Sequence, residues 1–298
     1  MLRSRRFRWG AVSCVSLLLF ALNARAQSPP EPPPPIADLN HLNLFYGAVP
    51  PNGAHGDVMV FVPGFLEDAF MWWDIEGNDM YAYAYQAGYR TAFLSMNTLN
   101  LPDNGSIAAD GRVLENLVPV LMKHYGVSRV YMIAHSKGGL NVESLLANRK
   151  YTSMAKAVFT LSAPNQGDAL ADWCYGGGVL VCGGLGLISP AIYDMQIPIV
   201  TALRAQWDPY FAKAGVPFYT LSGNTWNGNV ITDVTGPILA SMTGPNPPPN
   251  DGVVTHPESL LPASYAVELG VINGNHFDVA QGHNAFPFIQ AQINALPH

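Results

Sequence analysis

Short β-branched runs alternate with stretches of helical period along most of this chain. Asp57 to Val62 (DVMVFV) predicts a strand, and Asn78 to Ala87 predicts a helix closed by Gly88. Tyr89 to Met96 predicts the next strand, and Val113 to Tyr125 a helix with a kink at Pro119. Arg129 to Ala134 (RVYMIA) is again strand-like, and Lys137 to Asn148 again helical. Ala157 to Leu161, Val216 to Leu221 and Tyr265 to Ile272 supply further strands. Strands alternating with helices imply an α/β domain, a mostly parallel sheet covered by helices on both faces. No internal repeat interrupts it. Two stretches do: Asp168 to Gly215, rich in Gly and apolar residues and placed where a lid or cap insertion fits, and the stiff loop Gly244 to Asn250 (GPNPPPN).

The N-terminal pattern is of another kind. Arg3, Arg5, Arg6 and Arg8 precede the apolar run Ala11 to Leu22, and Ala24-Arg25-Ala26 offers a small-residue cleavage site. This predicts a signal peptide over residues 1–26 and a secreted protein, extracellular or periplasmic, beginning at Gln27. The competing reading, a membrane anchor, needs about 20 apolar residues, more than this run holds, so no stable membrane insertion is expected. A twin-arginine signal is hinted at by Ser4-Arg5-Arg6, although the residues after it fit poorly. Residues 27–38 form a proline-rich spacer (SPPEPPPP at its centre), which places the domain at 39–298.

Removing the signal changes the charge. The whole chain carries −6, but 27–298 holds ten basic against 21 acidic residues, a net of −11. A chain that acidic lacks the basic patches nucleic-acid binding needs, so no nucleic-acid partner is expected. Cys14 leaves with the signal. Cys174 and Cys182 remain, and in an oxidising compartment they read as one small disulfide loop, against the alternative of two buried thiols.

Arg129 to Leu140 (RVYMIAHSKGGL) is the chemically informative segment. A strand runs into Ala134-His135-Ser136-Lys137-Gly138 and a helix follows, the context of a G-x-S-x-G elbow with Ala in the first position. A serine hydroxyl becomes a usable nucleophile when a tight turn lifts it above the sheet, and small residues two positions either side let strand and helix pass closely. The Lys137 N–H, at the helix start, then faces a developing oxyanion. The second oxyanion donor is expected in the loop after an early strand, where Val62-Pro63-Gly64-Phe65 makes the Phe65 N–H the candidate. His135 cannot readily turn onto its neighbour and packs beneath the turn.

Acid and base should follow the serine in that order. His256, His276, His283 and His298 lie downstream; His276, in the loop Asn273 to Asp278 after a β-rich run, is the favoured base. Asp251, followed by Gly252 in a tight post-strand loop, is the favoured acid, and Asp233 its rival.

These segments resemble secreted bacterial triacylglycerol lipases and related esterases of the α/β-hydrolase superfamily. The likeness spans Val58 to Gly282. AHSKGGL is similar to their elbow, Ser162-Ala163-Pro164-Asn165-Gln166-Gly167 to the loop after the next strand, Asn250 to Val254 to their acid motif, and Asn275 to Asp278 to their base motif. The resemblance implies the α/β-hydrolase fold and a Ser136–Asp251–His276 triad. Pro63 and Ala134 depart from the family pattern. Asp278 matches a ligand of the family's structural calcium, but no second aspartate accompanies it, so no metal or cofactor is assigned. The expected function is carboxylic-ester hydrolysis through an acyl-enzyme, on lipid or small esters. Alternatives are a polyester (polyhydroxyalkanoate-type) depolymerase, acyl transfer, and a non-catalytic surface-binding protein on the same fold. Phe65, Phe70, Trp72 and Trp73 suit an acyl pocket or the core equally, and the apolar run Val179 to Val200 suits a lid in contact with a lipid interface.

Overall fold

The computed structural model describes residues 29–50, 56–74, 77–98 and 101–296. The signal-peptide expectation for 1–26 lies outside them. In chain order the elements are β1 (Ile36–Asp38), β2 (His41–Tyr46), β3 (Val58–Val62), α1 (Met80–Gln86), β4 (Arg90–Leu94), α2 (Ile107–Tyr125), β5 (Val130–His135), α3 (Lys137–Ala147) and β6 (Ala155–Leu161). Then come α4 (Ala169–Cys174), α5 (Val179–Gly184), α6 (Pro190–Asp194), α7 (Ile197–Ala214), β7 (Phe218–Gly223), α8 (Val230–Met242), α9 (His256–Ser259), β8 (Ala266–Ile272) and α10 (Gly282–Ala295).

The eight strands form one sheet in the order β1-β2-β4-β3-β5-β6-β7-β8. β1, β2 and β4 pair antiparallel, and every pair from β4 onward is parallel. Every residue of β3 is buried, because alternate side chains enter two cores. Val58, Val60 and Val62 join a cluster under α2, α3 and α7, while Met59 and Phe61 join one with α1 and α10. The chain reverses its direction of travel across the sheet at β3, so the loops leaving β3 and β5 emerge side by side, with Val62 opposite Ala134. Ligand sites of open α/β sheets form at such a switch point.

Several elements differ from expectation at their ends. The sheet begins at Ile36, inside the proline-rich stretch, where the Tyr81 hydroxyl also bonds the Pro33 carbonyl at 3.0 Å. Helix α2 starts six residues earlier than its apolar period predicts, because the Ser106 hydroxyl caps the Ala109 amide at 3.1 Å. Trp72 is fully buried in the second core, with Phe70 and Trp73 packed on it, so these rings build the core and not an acyl pocket.

The segment 168–215 is four helices, and they differ in kind. α7 is a core helix: Val200, Trp207 and Phe211 are buried, and Arg204 pairs with the buried Glu143 of α3. α4 and α5 are joined by the Cys174–Cys182 disulfide, with Cα atoms 5.4 Å apart. α5 keeps an apolar outer face, with Leu180 88% exposed and Val179, Val181 and the following Leu185 also exposed. No helix among the described residues is long and apolar enough to cross a membrane.

Candidate active site

Ser136 follows β5 at φ 52°, ψ −134°, a positive-φ conformation that a residue with a Cβ adopts only under strain. Its amide donates to the Leu161 carbonyl at 2.9 Å, fixing the turn to β6. The loop after β3 presses against it: a Cβ on Gly64 would stand 2.6 Å from the Ser136 Cβ, and one on Gly138 would stand 2.5 Å from the Pro63 carbonyl. Glycine at both places is therefore a packing requirement. The Gly64 amide donates to the Glu67 carboxylate at 2.6 Å and the Leu66 amide to the Asp103 carbonyl at 2.7 Å. The amides of Phe65, between them, and of Lys137, at the start of α3, have no hydrogen-bond partner among the described residues.

Asp251 and His276 meet across 25 positions. His276 Nδ1 donates to Asp251 Oδ2 at 3.0 Å, and the His276 amide donates to the Asp251 carbonyl at 2.9 Å. Both loops are wound by their own sequences. Asp251 Oδ1 accepts the Val253 and Val254 amides at 2.9 and 2.8 Å, a turn that needs Gly252 at φ +99° with Thr232 against it. Asn275 Oδ1 accepts the Phe277 and Asp278 amides at 3.0 and 3.2 Å, and Asp278 Oδ2 accepts the Asn275 amide at 3.0 Å. Asp278 thus braces the base loop, and no group of three or more His, Cys, Asp or Glu that could hold a metal occurs among the described residues. Burial alone would raise the Asp251 carboxyl, but the His276 ring and the amides it accepts hold it below 3.8, so it is ionised at neutral pH.

The rival residues lie elsewhere. Asp233 sits in the first turn of α8 and accepts the Gly228 amide at 3.1 Å. His256 Nδ1 is 2.9 Å from the Ser222 hydroxyl and His283 is exposed beside Asp79 at 3.1 Å; His298 lies outside the described residues.

His135 packs beneath the turn as expected, but its contacts, and those of the Lys137 side chain, went unread in the sequence. His135 is fully buried, with Nδ1 2.9 Å from the Glu67 carboxylate and Nε2 2.9 Å from the His276 carbonyl. The Lys137 side chain is also fully buried, bonding Asp103 at 2.9 Å, Asp110 by a shorter contact, and Asn141 at 3.2 Å. Asp103 in turn holds the oxyanion loop through its backbone, so Lys137 links that loop to α2 and α3. Lys137→Met would leave two buried carboxylates without their cation, and a loss of about 3 to 5 kcal/mol of unfolding free energy is expected at neutral pH. Burial and Asp103 raise the Asp110 carboxyl to about 6 against the pull of Lys137, so protonating it relieves the variant. Urea unfolding should show a smaller loss in mild acid than at neutral pH; an equal loss at both would contradict the ion cluster.

No protein-family profile and no curated protein sequence matches this chain. Solved structures do. The mature Bacillus licheniformis lipase BlEst2 is similar at 26% identity and a TM-score of 0.73, over 84% of this chain and 97% of that one. Its propeptide form gives 26% and 0.74, over 86% of this chain and 54% of that longer one. A metagenomic carboxyl esterase shares the fold at 20% identity and a TM-score of 0.57, over 75% of this chain and 66% of that one. With its sheet order, its serine-bearing turn between β5 and α3 and these neighbours, the chain has the α/β-hydrolase fold and is similar to lipases and esterases built on it.

Proposed function

We propose that this protein is a secreted carboxylic-ester hydrolase that works through Ser136, His276 and Asp251. One observation carries the reading: a strained serine at the switch point of the sheet, beside a loop whose buried histidine is bonded to a buried aspartate. The similarity to a Bacillus lipase supports the ester as the bond attacked. His276 Nε2 takes the Ser136 hydroxyl proton as Oγ bonds to the ester carbonyl carbon. The resulting oxyanion accepts the Phe65 and Lys137 N–H groups, and each such donor contributes about 3 to 4 kcal/mol in the transition state. Collapse expels the alcohol, which takes the proton from His276, and a water repeats the sequence to free the acid. A surface-binding protein has no use for the strain at Ser136.

Export follows from residues 1–26 and fits a disulfide-bearing domain. The exposed apolar residues of α5 favour an insoluble substrate, lipid or polyester, met at an interface. A chain-length series of p-nitrophenyl esters, run beside emulsified triolein and a polyester film, tests the proposal. Hydrolysis of the esters is expected, with a rate on triolein or film that rises once substrate forms a separate phase. No ester hydrolysis on any of them would overturn it; smooth saturation below solubility would assign a small-ester esterase.

A further inference from the structure

The pair formed by Glu67 and His135 touches both halves of the site described above. On one side the Glu67 carboxylate accepts the Gly64 amide at 2.6 Å, one residue before the Phe65 donor. On the other, His135 Nε2 meets the carbonyl of His276 itself at 2.9 Å. Between them, His135 Nδ1 meets Glu67 at 2.9 Å. The two rings, His135 and His276, stand 4.6 Å apart between centroids. Three loops from distant parts of the chain, the oxyanion loop, the elbow and the base loop, are thereby joined through two side chains.

Counting protons sharpens this. Both ring nitrogens of His135 face acceptors, a carboxylate and a carbonyl, and a neutral imidazole has only one N–H. Carboxylates ordinarily titrate near 4 and imidazoles near 6.5, so the shared proton resides on the ring. The other titratable groups facing the pair are His276 on the base loop, Asp251 on the acid loop and Asp68 next to Glu67. Burial opposes charge on each partner, but each stabilises the charge of the other, so Glu67 is held below 4.5 and His135 above 6.5.

We infer that Glu67 and His135, as a buried carboxylate–imidazolium pair, are positioning residues that set the Phe65 oxyanion donor and the His276 base in register on either side of Ser136. The inference rests on the triad reading for its kinetic consequence, but not for its proton count. As for sign, the depressed Glu67 supports the brace above its ordinary range and loses it in acid. The raised His135 supports it at and below neutral pH and loses it as pH rises through the elevated value.

Two measurements test it. In the wild-type protein, long-range proton–nitrogen NMR of the histidine rings, with His135 identified by its loss in His135→Gln, should show both His135 nitrogens protonated at about pH 7, where an ordinary histidine is mostly neutral. A single N–H there overturns the ion pair, whatever the activity. Kinetics address the bracing. Glu67→Met leaves the Gly64 amide and His135 Nδ1 unpartnered, and kcat should fall about 10- to 100-fold with KM little changed, the cost of sub-ångström misplacement. Glu67→Gln should recover most of that loss, because its amide oxygen accepts from Gly64 and its NH2 donates to a His135 that now carries one proton. Equal kcat in the wild type and Glu67→Met, or no recovery with Gln, would overturn the positioning role. If Glu67→Met does not fold, the Gln variant and the NMR result still decide. Activity surviving in Ser136→Ala would instead defeat the triad reading and leave the proton count standing.

Discussion

Ser136→Ala should lower kcat on a p-nitrophenyl ester by on the order of 100,000- to a million-fold, because the covalent step then has no nucleophile and only the oxyanion donors and substrate binding remain. The fold should persist, since the Ser136 amide that fixes the turn to Leu161 is unchanged. A companion variant separates chemistry from strain. Ser136→Gly is equally inactive, but glycine tolerates φ 52°, so it should unfold later than Ser136→Ala by about 1 kcal/mol or more. Equal stabilities for the two would mean that the turn stores no strain, and appreciable ester hydrolysis by either would mean that another group attacks the substrate.

Asp251→Asn should lower kcat by about ten-thousand-fold, because an amide cannot stabilise the imidazolium and favours the wrong tautomer. Asp251 Oδ1 already accepts two backbone amides, so an asparagine that places its oxygen there turns its NH2 toward His276 Nδ1. That nitrogen must then act as acceptor, and the proton moves to Nε2, the atom that has to receive the serine proton. Asp233→Asn serves as the comparison. Among the described residues its carboxylate accepts only the Gly228 amide, at the start of α8 where the helix dipole favours negative charge, so only a small loss of stability and little change in kcat are expected. The reverse order of effects would mean that the His276–Asp251 bond is not the one catalysis uses.

The parts of this arrangement legible in the sequence are those set by short-range chemistry. The elbow was legible because a strand, a small residue, a serine and a helix-starting glycine pair fall within ten positions. Asp251 stood out from Asp233 because the next residue is a glycine, and the turn does use that glycine at φ +99°. Parallel strands were legible because burial on both faces makes them continuous apolar runs. What escaped was long-range or contrary to residue habit. Glu67 lies 68 positions from His135, and nothing local to either names the other. Lys137 is fully buried, whereas lysine is ordinarily a surface residue, so its side chain drew no attention beside its amide. β1 and β2 are short and antiparallel, and β1 begins in a proline-rich stretch, which masks the pattern. The aromatic group at 70–73 was ambiguous because rings serve a core and a pocket equally well, and only packing decides.

The central claim is that Ser136 is an activated nucleophile, and an alkyl fluorophosphonate tests it most directly, because only a serine with a base and an oxyanion site reacts at a useful rate. Intact mass and peptide mapping should find a single adduct on Ser136, formed in step with loss of esterase activity, absent in Ser136→Ala and greatly slowed in Asp251→Asn. An adduct on another serine, or an unlabelled protein that still hydrolyses esters, would contradict the account.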